Sequence, residues 1–232
     1  LYAALSEIMS EDINITTVED PVEYQIPGIN QVQMHDEIGL NFSASLRSIL
    51  RQDPDVLLIG EIRDEETADI AVKFSLTGHL VFSTVHANDA PSTITRLLDL
   101  GIPPFLLGSS LNLVMAQRLI RTIDKDSKEK YTPTNEELER MNLTKDANKI
   151  DFYRGKPTNS NHNTGYKGRT AIHEILQVNS DMRQLIYENA NQNAIYETAM
   201  KNGMTPLRDA GIDKIKSGVT TIDEILRATV ED

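Results

Sequence analysis

Residues 46–68 read LRSILRQDPDVLLIGEIRDEETA, and the interpretation of DVLLIG (55–60) within them decides the fold. This continuous apolar run, preceded by Asp53-Pro54 and followed by charged residues, is most simply a buried parallel strand. Just before it, residues 42–52 set Phe42, Leu46, Ile49 and Leu50 on one helical face, with Ser43 as the expected cap. Beyond it, residues 64–76 read as a second helix broken by Gly78, LVFSTV (80–85) as another buried strand, and 90–100 as a third helix. Strands alternating with helices spell βαβ units and a parallel sheet covered on both faces.

Further out, INITTV (13–18) and INQVQM (29–34) have strand composition, separated by a turn-rich connection with Pro21 and Pro27. LYAALSEIMS (1–10) carries apolar residues at 1, 4, 5, 8 and 9, one face of a helix that starts at Leu1 with no cap ahead of it. A chain cut from a longer parent is the expectation. These segments form an α/β core over 1–118. Residues 124–163 are rich in Asp, Lys, Asn, Ser and Thr around one short helix, TNEELERM (134–141), and define a small insertion subdomain over 119–168. From 170 onward IHEIL, SDMRQLIYENA, NAIYETAMKN and TTIDEILRATV predict a C-terminal helical region over 169–232, with Ser180 and Thr220 as caps.

The 232 residues are 39% hydrophobic and 25% charged, an ordinary globular composition, and no apolar run approaches the length needed to cross a bilayer. No secretory signal peptide opens the chain. A formal net charge of -12 repels nucleic acid and anionic lipid at long range, so any phosphate-binding role needs a local basic cluster. Having no cysteine removes disulfides, thiolate catalysis and cysteine-ligated zinc together.

Two apolar strands end in carboxylates, INITTV at Glu19-Asp20 and VLLIG at Glu61. Ligands of parallel α/β sheets sit beyond the carboxyl ends of the strands, where such acids could polarise water or hold a magnesium-bound water. They could equally cap the helices that follow. Arg47 and Arg51 share a helical face and Arg63 follows Glu61 by two, a cluster suited to phosphate or to surface pairing with Asp53, Asp64 and Glu65. His79 and His86 flank LVFSTV and, at about 3.3 Å per residue, stand roughly 23 Å apart, too far to share one metal. His86 lies at the carboxyl end of its strand and is the better catalytic candidate; His79 lies at the other end, suited to a structural role or a neighbouring subunit. A metal hydrolase built on Asp20, Glu61 and His86 is a weaker alternative.

The ordered set TVEDPVEY (17–24), LRSILRQDPDVLLIGEIRDEETA (46–68) and TGHLVFSTVHANDAPSTITRLLDLGI (77–102), with QRLIR (117–121) and GYKGRTAIHEIL (165–176), resembles the secretion ATPase superfamily that drives type II secretion and type IV pilus assembly. The resemblance implies a RecA-like P-loop NTPase core, with Glu61 as the Walker B glutamate that orients the attacking water. It implies Glu19, Asp20 and Glu23 as Asp box acids, His79 and His86 as the His box, and Arg47, Arg51, Arg63 and Arg169 as basic residues for phosphate or subunit contacts. ATP and Mg²⁺ are the implied ligands, and the implied assembly is a homo-hexamer in the cytoplasm, peripheral to the bacterial inner membrane and docked on its secretion platform proteins. Neither nucleic acid binding nor membrane insertion is implied.

The chain departs from that family in two places. The family's phosphate loop, of the form GPTGSGKST, normally precedes a helix beginning TLYA, and no GxxxxGK[ST] occurs in these residues. Weak ATP binding and negligible hydrolysis by the chain alone are therefore expected. Paired CxxC motifs that bind zinc in many family members are replaced by Asp124 and Ser127, then Thr158 and Asn161, so no zinc is expected and hydrogen bonds or packing must hold the insertion. Type II secretion is the leading functional reading, with a pilus assembly ATPase or a non-catalytic assembly module as alternatives.

Overall fold

Backbone N–H and C=O groups in an apolar run can be satisfied only by pairing, and the strand and helix alternation leaves parallel pairing as the available solution. A computed structural model describes residues 1–229, the side chain of Asp36 apart. In chain order it contains α1 (Tyr2–Ile8), β1 (Ile15–Glu19), β2 (Asn30–Gln33), α2 (Phe42–Ile49), β3 (Val56–Ile59), α3 (Glu65–Leu76), β4 (Leu80–Ser83), α4 (Ala90–Asp99) and α5 (Pro104–Ser110). There follow β5 (Leu113–Ile123), β6 (Lys128–Lys130), α6 (Asn135–Arg140), β7 (Tyr153–Gly155), β8 (Tyr166–Gln177), α7 (Ser180–Tyr187), α8 (Gln192–Lys201), α9 (Leu207–Lys216) and α10 (Ile222–Ala228). The chain divides into two compact units: Leu1–Ala87 with Pro91–Val114 and Val178–Thr198, and Asn88–Ala90 with Met115–Gln177 and the residues from Ala199 onward.

In the first unit the strand order is β2-β1-β3-β4, and every pairing is parallel. The register sets Ile15 beside Val56 and Val18 beside Ile59, then Val56 beside Leu80 and Ile59 beside Ser83. β1 and β3 are buried at every position, as expected of central strands covered on both faces. Leu5 of α1 packs with Ile15, Val56 and Leu58 in one apolar cluster. Each such side chain contributes about 1.5–3 kcal/mol relative to exposure.

The helices begin where side-chain acceptors meet their free N–H groups, though often a residue or two from the expected caps. Asn41, not Ser43, accepts from Ala44 N at 2.9 Å and opens α2. Asn179, not Ser180, accepts from Met182 N at 3.0 Å, and Thr221, not Thr220, accepts from Glu224 N at 3.2 Å. Adjacent polar residues compete for this role, and the winner is the one whose backbone is extended. The helix expected over 134–141 forms as α6 with a reciprocal Thr134–Glu137 capping box.

The second unit corrects the expectation that IHEIL is helical. Residues 166–177 form β8, where Ile172, Glu174 and Leu176 are buried while His173, Ile175 and Gln177 are exposed, a period of two. β8 pairs with β5, and Gln117 Oε1 lies 3.0 Å from His173 Nε2 across the ladder. Ile120, Ile172, Leu207, Ile215, Ile222 and Ile225 are among the side chains of this unit's core. Helices form over the other three predicted C-terminal segments, with Val230 and the last two residues lying outside the described ones.

Within the insertion, Asp124, Ser127, Thr158 and Asn161 come together. Buried Asn161 donates through Nδ2 to Asp124 Oδ2 at 3.0 Å, Ser127 Oγ at 3.1 Å and Lys156 O at 2.9 Å, while its Oδ1 accepts from Thr158 N at 2.9 Å and Gly165 N at 3.2 Å. One amide thereby meets five partners and ties two chain segments. The Asn161 bond holds the Asp124 carboxyl below its usual range, against the opposing effect of burial. Nearby, Gly155 and Gly165 pass so closely that a Cβ on either would run into the other's backbone.

Two buried carboxylates complete this unit. Glu224 has no exposed side-chain surface and accepts from Arg121 N at 2.7 Å, Arg121 Nε at 2.8 Å and Arg227 Nε at 3.0 Å. Burial would raise its pKa, but the bonds from Arg227 and Arg121 prevail and lower it to about 2. Glu174 accepts from two backbone groups, Ala90 N at 2.7 Å and Leu207 N at 3.2 Å, and burial pushes its carboxyl up.

Two outcomes follow for stability. A carboxyl depressed from 4.5 to about 2 contributes stability that is complete above the unfolded pKa and is lost as pH falls through the folded one. Glu224→Gln should therefore cost about 2 kcal/mol at pH 7 in urea unfolding, with the gap to the parent closing between pH 4.5 and pH 2. Asn161→Asp sets a second carboxylate against Asp124, so its unfolding midpoint should fall at pH 7 and recover toward pH 4 as one carboxyl takes up a proton.

Candidate functional site

Parallel pairing sends the carboxyl ends of β1, β3 and β4 to one edge of the sheet. β1 ends in Glu19-Asp20, β3 continues through Gly60 into Glu61, and β4 continues toward His86. Hydrogen bonding persists beyond the strands, from Gly60 N to Val18 O at 2.8 Å and from Ile62 N to Thr84 O at 2.9 Å. Thr84 Oγ1 adds a bond to Gly60 O at 2.6 Å. A Cβ on Gly60 would stand 3.3 Å from Glu19 Cα and Val18 O, so glycine lets the two acid-bearing ends run close together.

Glu61 is the centre of this edge. Its side chain is 14% exposed, pairs through Oε1 with Arg63, and lies through Oε2 3.2 Å from Nε2 of the exposed His86. The hydrogen bond from Arg63 lowers its pKa, burial opposes, and His86 lowers it further. Glu61 is thus an ionised acceptor at neutral pH, suited to orienting a water rather than donating a proton.

The other acids divide by exposure. Asp20 is exposed and lines, with Arg63, a cleft of about 300 Å³ that the first turns of α2 and α3 border through Phe42, Ser43, Glu66 and Thr67. Glu19, 4% exposed, turns into the protein: Tyr2 Oη donates to its Oε2, while Thr17 Oγ1 at 2.5 Å and Gln31 Nε2 at 3.4 Å donate to its Oε1. Glu23 is exposed, and its backbone N–H donates to Tyr2 Oη at 3.3 Å.

The remaining predicted residues lie elsewhere. His79 sits at the amino end of β4, its Nδ1 2.8 Å from Thr77 Oγ1 and its ring stacked on Phe74 at 4.1 Å between centroids. Arg47, exposed on α2, pairs with Glu66, and Arg51, exposed just beyond the end of that helix, donates to Arg47 O at 2.9 Å. Arg169 is exposed on β8 in the second unit. Asp20, Glu61 and His86 do not converge as a metal-binding group, and among the described residues no set of three or more His, Asp or Glu side chains does.

Sequence reading missed Tyr2, Thr17, Gln31 and Thr84, the residues that hold the acids and strand ends in place. One signal was present: a threonine pair inside a strand buried on both faces must find partners.

Comparison with known proteins places the chain in a family. Residues 1–227 match the family described as Type II/IV secretion system protein. The chain is 48% identical over 231 residues to type II secretion system protein E of Xanthomonas campestris pv. campestris, covering 99% of this chain and 41% of that protein. It is 46% identical over 235 residues to the type IV pilus assembly ATPase PilB of Myxococcus xanthus, covering 100% of this chain and 41% of PilB. The chain thus spans well under half the length of these curated relatives. The crystal structure of the pilus retraction motor PilT with bound ADP matches at a TM-score of 0.70 and 26% identity, covering 99% of this chain and 57% of PilT. The mixed α/β fold with its parallel sheet is that of the RecA-like secretion ATPases, and the chain belongs to the type II/IV secretion system protein family.

Proposed function

We propose that this chain is the C-terminal motor part of a hexameric cytoplasmic ATPase that powers type II protein secretion from the inner face of the bacterial inner membrane. The observation that carries the reading is Glu61, an ionised carboxylate held between Arg63 and His86 at the carboxyl end of a buried parallel strand. Relatives named as type II secretion system protein E and as a type IV pilus assembly ATPase support it. The described residues contain no helix long and apolar enough to cross a membrane, and a peripheral motor requires none.

In this reading Glu61 accepts a hydrogen bond from the attacking water and sets its line of approach to the γ-phosphate of ATP. His86, exposed beside it, holds the other side of that water, and Arg63 offsets charge gathering on the phosphoryl oxygens. Magnesium, when bound with the nucleotide, would be held by the exposed Asp20 and would supply positive charge against the phosphates. Glu23 extends the same acidic segment. Arg47, Arg51 and Arg169, all exposed, are assigned to phosphate or to the neighbouring subunit, and His79 to a subunit contact. Platform proteins of the inner membrane are the partners such a ring would push against.

Without a GxxxxGK[ST] loop, no backbone cradle or lysine holds the β- and γ-phosphates, so these residues alone should bind ATP weakly and turn it over negligibly. The insertion is assigned no zinc, its polar cluster standing where thiolates would be required. A pilus assembly ATPase is a second reading, favoured by the 46% identity to PilB.

In a form that carries the phosphate loop ahead of Leu1, Glu61→Gln should lower ATP turnover by about a hundredfold or more while nucleotide binding persists. Unchanged turnover would count for the non-catalytic assembly module instead.

A further inference from the structure

Tyr2 makes an unusual number of contacts for one half-buried side chain. Its hydroxyl donates to Glu19 Oε2 and accepts from Glu23 N at 3.3 Å and from Gln31 Nε2 at 3.3 Å. Its ring meets that of Tyr24 edge to face, with centroids 4.7 Å apart. Gln31 in turn donates to Glu19 Oε1 at 3.4 Å and to Tyr24 O at 3.1 Å, and Gln31 Oε1 accepts from Ile26 N at 2.7 Å. The acid-bearing segment from Glu19 to Tyr24 is therefore held at its start, through a carboxylate, and at its end, through a backbone amide and a ring. The same phenol makes all three connections.

The partners decide what Glu19 can do. Both of its oxygens are occupied by neutral donors from Tyr2, Thr17 and Gln31, and the residue is 4% exposed. A carboxylate so enclosed is poorly placed to meet a substrate, whereas Asp20, one residue on, is exposed in the cleft beside Arg63. Burial of the Tyr2 hydroxyl, with Glu19 beside it, pushes its pKa up to about 12, so it keeps the proton it donates throughout the working range.

We propose that Tyr2 is a positioning residue for the acidic segment Glu19–Glu23, acting through Glu19, and that Glu19 serves as the buried anchor while Asp20 is the acid presented to substrate. Tyr2 lies in the first turn of α1, and Leu5 of the same helix packs against β1 and β3. The Tyr2 to Glu19 bond therefore fixes the start of α1 to the carboxyl end of β1, and with it the separation between whatever precedes α1 and the acids. The inference rests on the ATPase reading for its catalytic consequence but not for its structural one, and the two can be measured separately.

Tyr2→Phe keeps the ring, and with it the packing on Tyr24, and removes only the hydroxyl. On the chain itself, amide hydrogen exchange read residue by residue should show Glu23 exchanging about tenfold faster in Tyr2→Phe, with the amides of β3 and β4 unchanged. In the form carrying the phosphate loop, Tyr2→Phe should lower kcat by about tenfold to a hundredfold with the KM for ATP within twofold. On a Glu19→Gln background Tyr2→Phe should cause little further loss, because a residue that acts through Glu19 has nothing left to position. A purely structural tyrosine would give additive losses or a lower unfolding midpoint with kcat intact, and either result overturns the proposal. Unchanged exchange at Glu23 overturns it as well, whatever the turnover. Absence of turnover in the unsubstituted form contradicts the ATPase reading, and the exchange measurement then still decides the role of Tyr2.

Discussion

The parallel register of β1 on β3 is the constraint on which the site depends. With Ile15 beside Val56 and Val18 beside Ile59, both strands finish at the same edge, where β1 ends in Glu19-Asp20 and β3 runs through Gly60 into Glu61. A slip of one residue would turn every side chain of a strand to its other face. Burial of all nine positions in the two strands, five in β1 and four in β3, makes such a slip costly. Gly60 then allows the two ends to approach, and Thr84 ties the end of β3 to the segment leading to His86. The chemistry at the edge is thus a consequence of how two hydrophobic runs pair.

Four enclosed carboxylates in this acidic chain show how partners set roles. Glu61 meets a guanidinium and an imidazole at an open edge, and is ionised and reachable. Glu224 meets two guanidinium groups with no exposure of its own, and serves the packing of α10 against β5. Glu174 accepts two backbone N–H groups and bears the cost of burial as a raised pKa. Glu19 receives neutral hydroxyls and an amide, the pattern of an anchor. Each of the four has at least one partner far away in the chain, His86 for Glu61, Arg121 for Glu224, Ala90 and Leu207 for Glu174, and Tyr2 and Gln31 for Glu19, so sequence position alone does not reveal the full set.

That explains which parts of the molecule were legible in the sequence. The central strand β3 and the helices beside it were readable from DVLLIG, since a continuous apolar run closed by Pro, Gly and charge admits few alternatives, whereas LVFSTV, read as a buried strand, forms the edge strand β4 with Leu80 exposed and its other positions half-buried. The joint placement of Glu19, Asp20, Glu61 and His86 at one edge followed from parallel topology alone. β8 was misread because TAIHEIL offers apolar residues at spacings compatible with a helix, and only its pairing with β5 selects the period of two. The caps were missed by one or two residues because neighbouring Asn, Ser and Thr are chemically near-equivalent. Tyr2 lies off the apolar face read at 1, 4, 5, 8 and 9 and had no assigned role, because its hydroxyl is bonded to residues 17, 21 and 29 positions away. The substitution of a hydrogen-bonded cluster at Asp124, Ser127 and Asn161 for thiolates was legible as a need and not as a geometry.

The central claim is the proposal that this chain supplies acidic residues of an ATP-hydrolysing site that also needs a phosphate-gripping loop of the form GxxxxGK[ST]. The most direct test is steady-state ATP turnover with magnesium, measured across protein concentration for these 232 residues and for a form carrying that loop. The account predicts a silent chain beside an active longer form whose specific activity rises as subunits associate. Comparable turnover by the chain alone, or none by the longer form at any concentration, would contradict it.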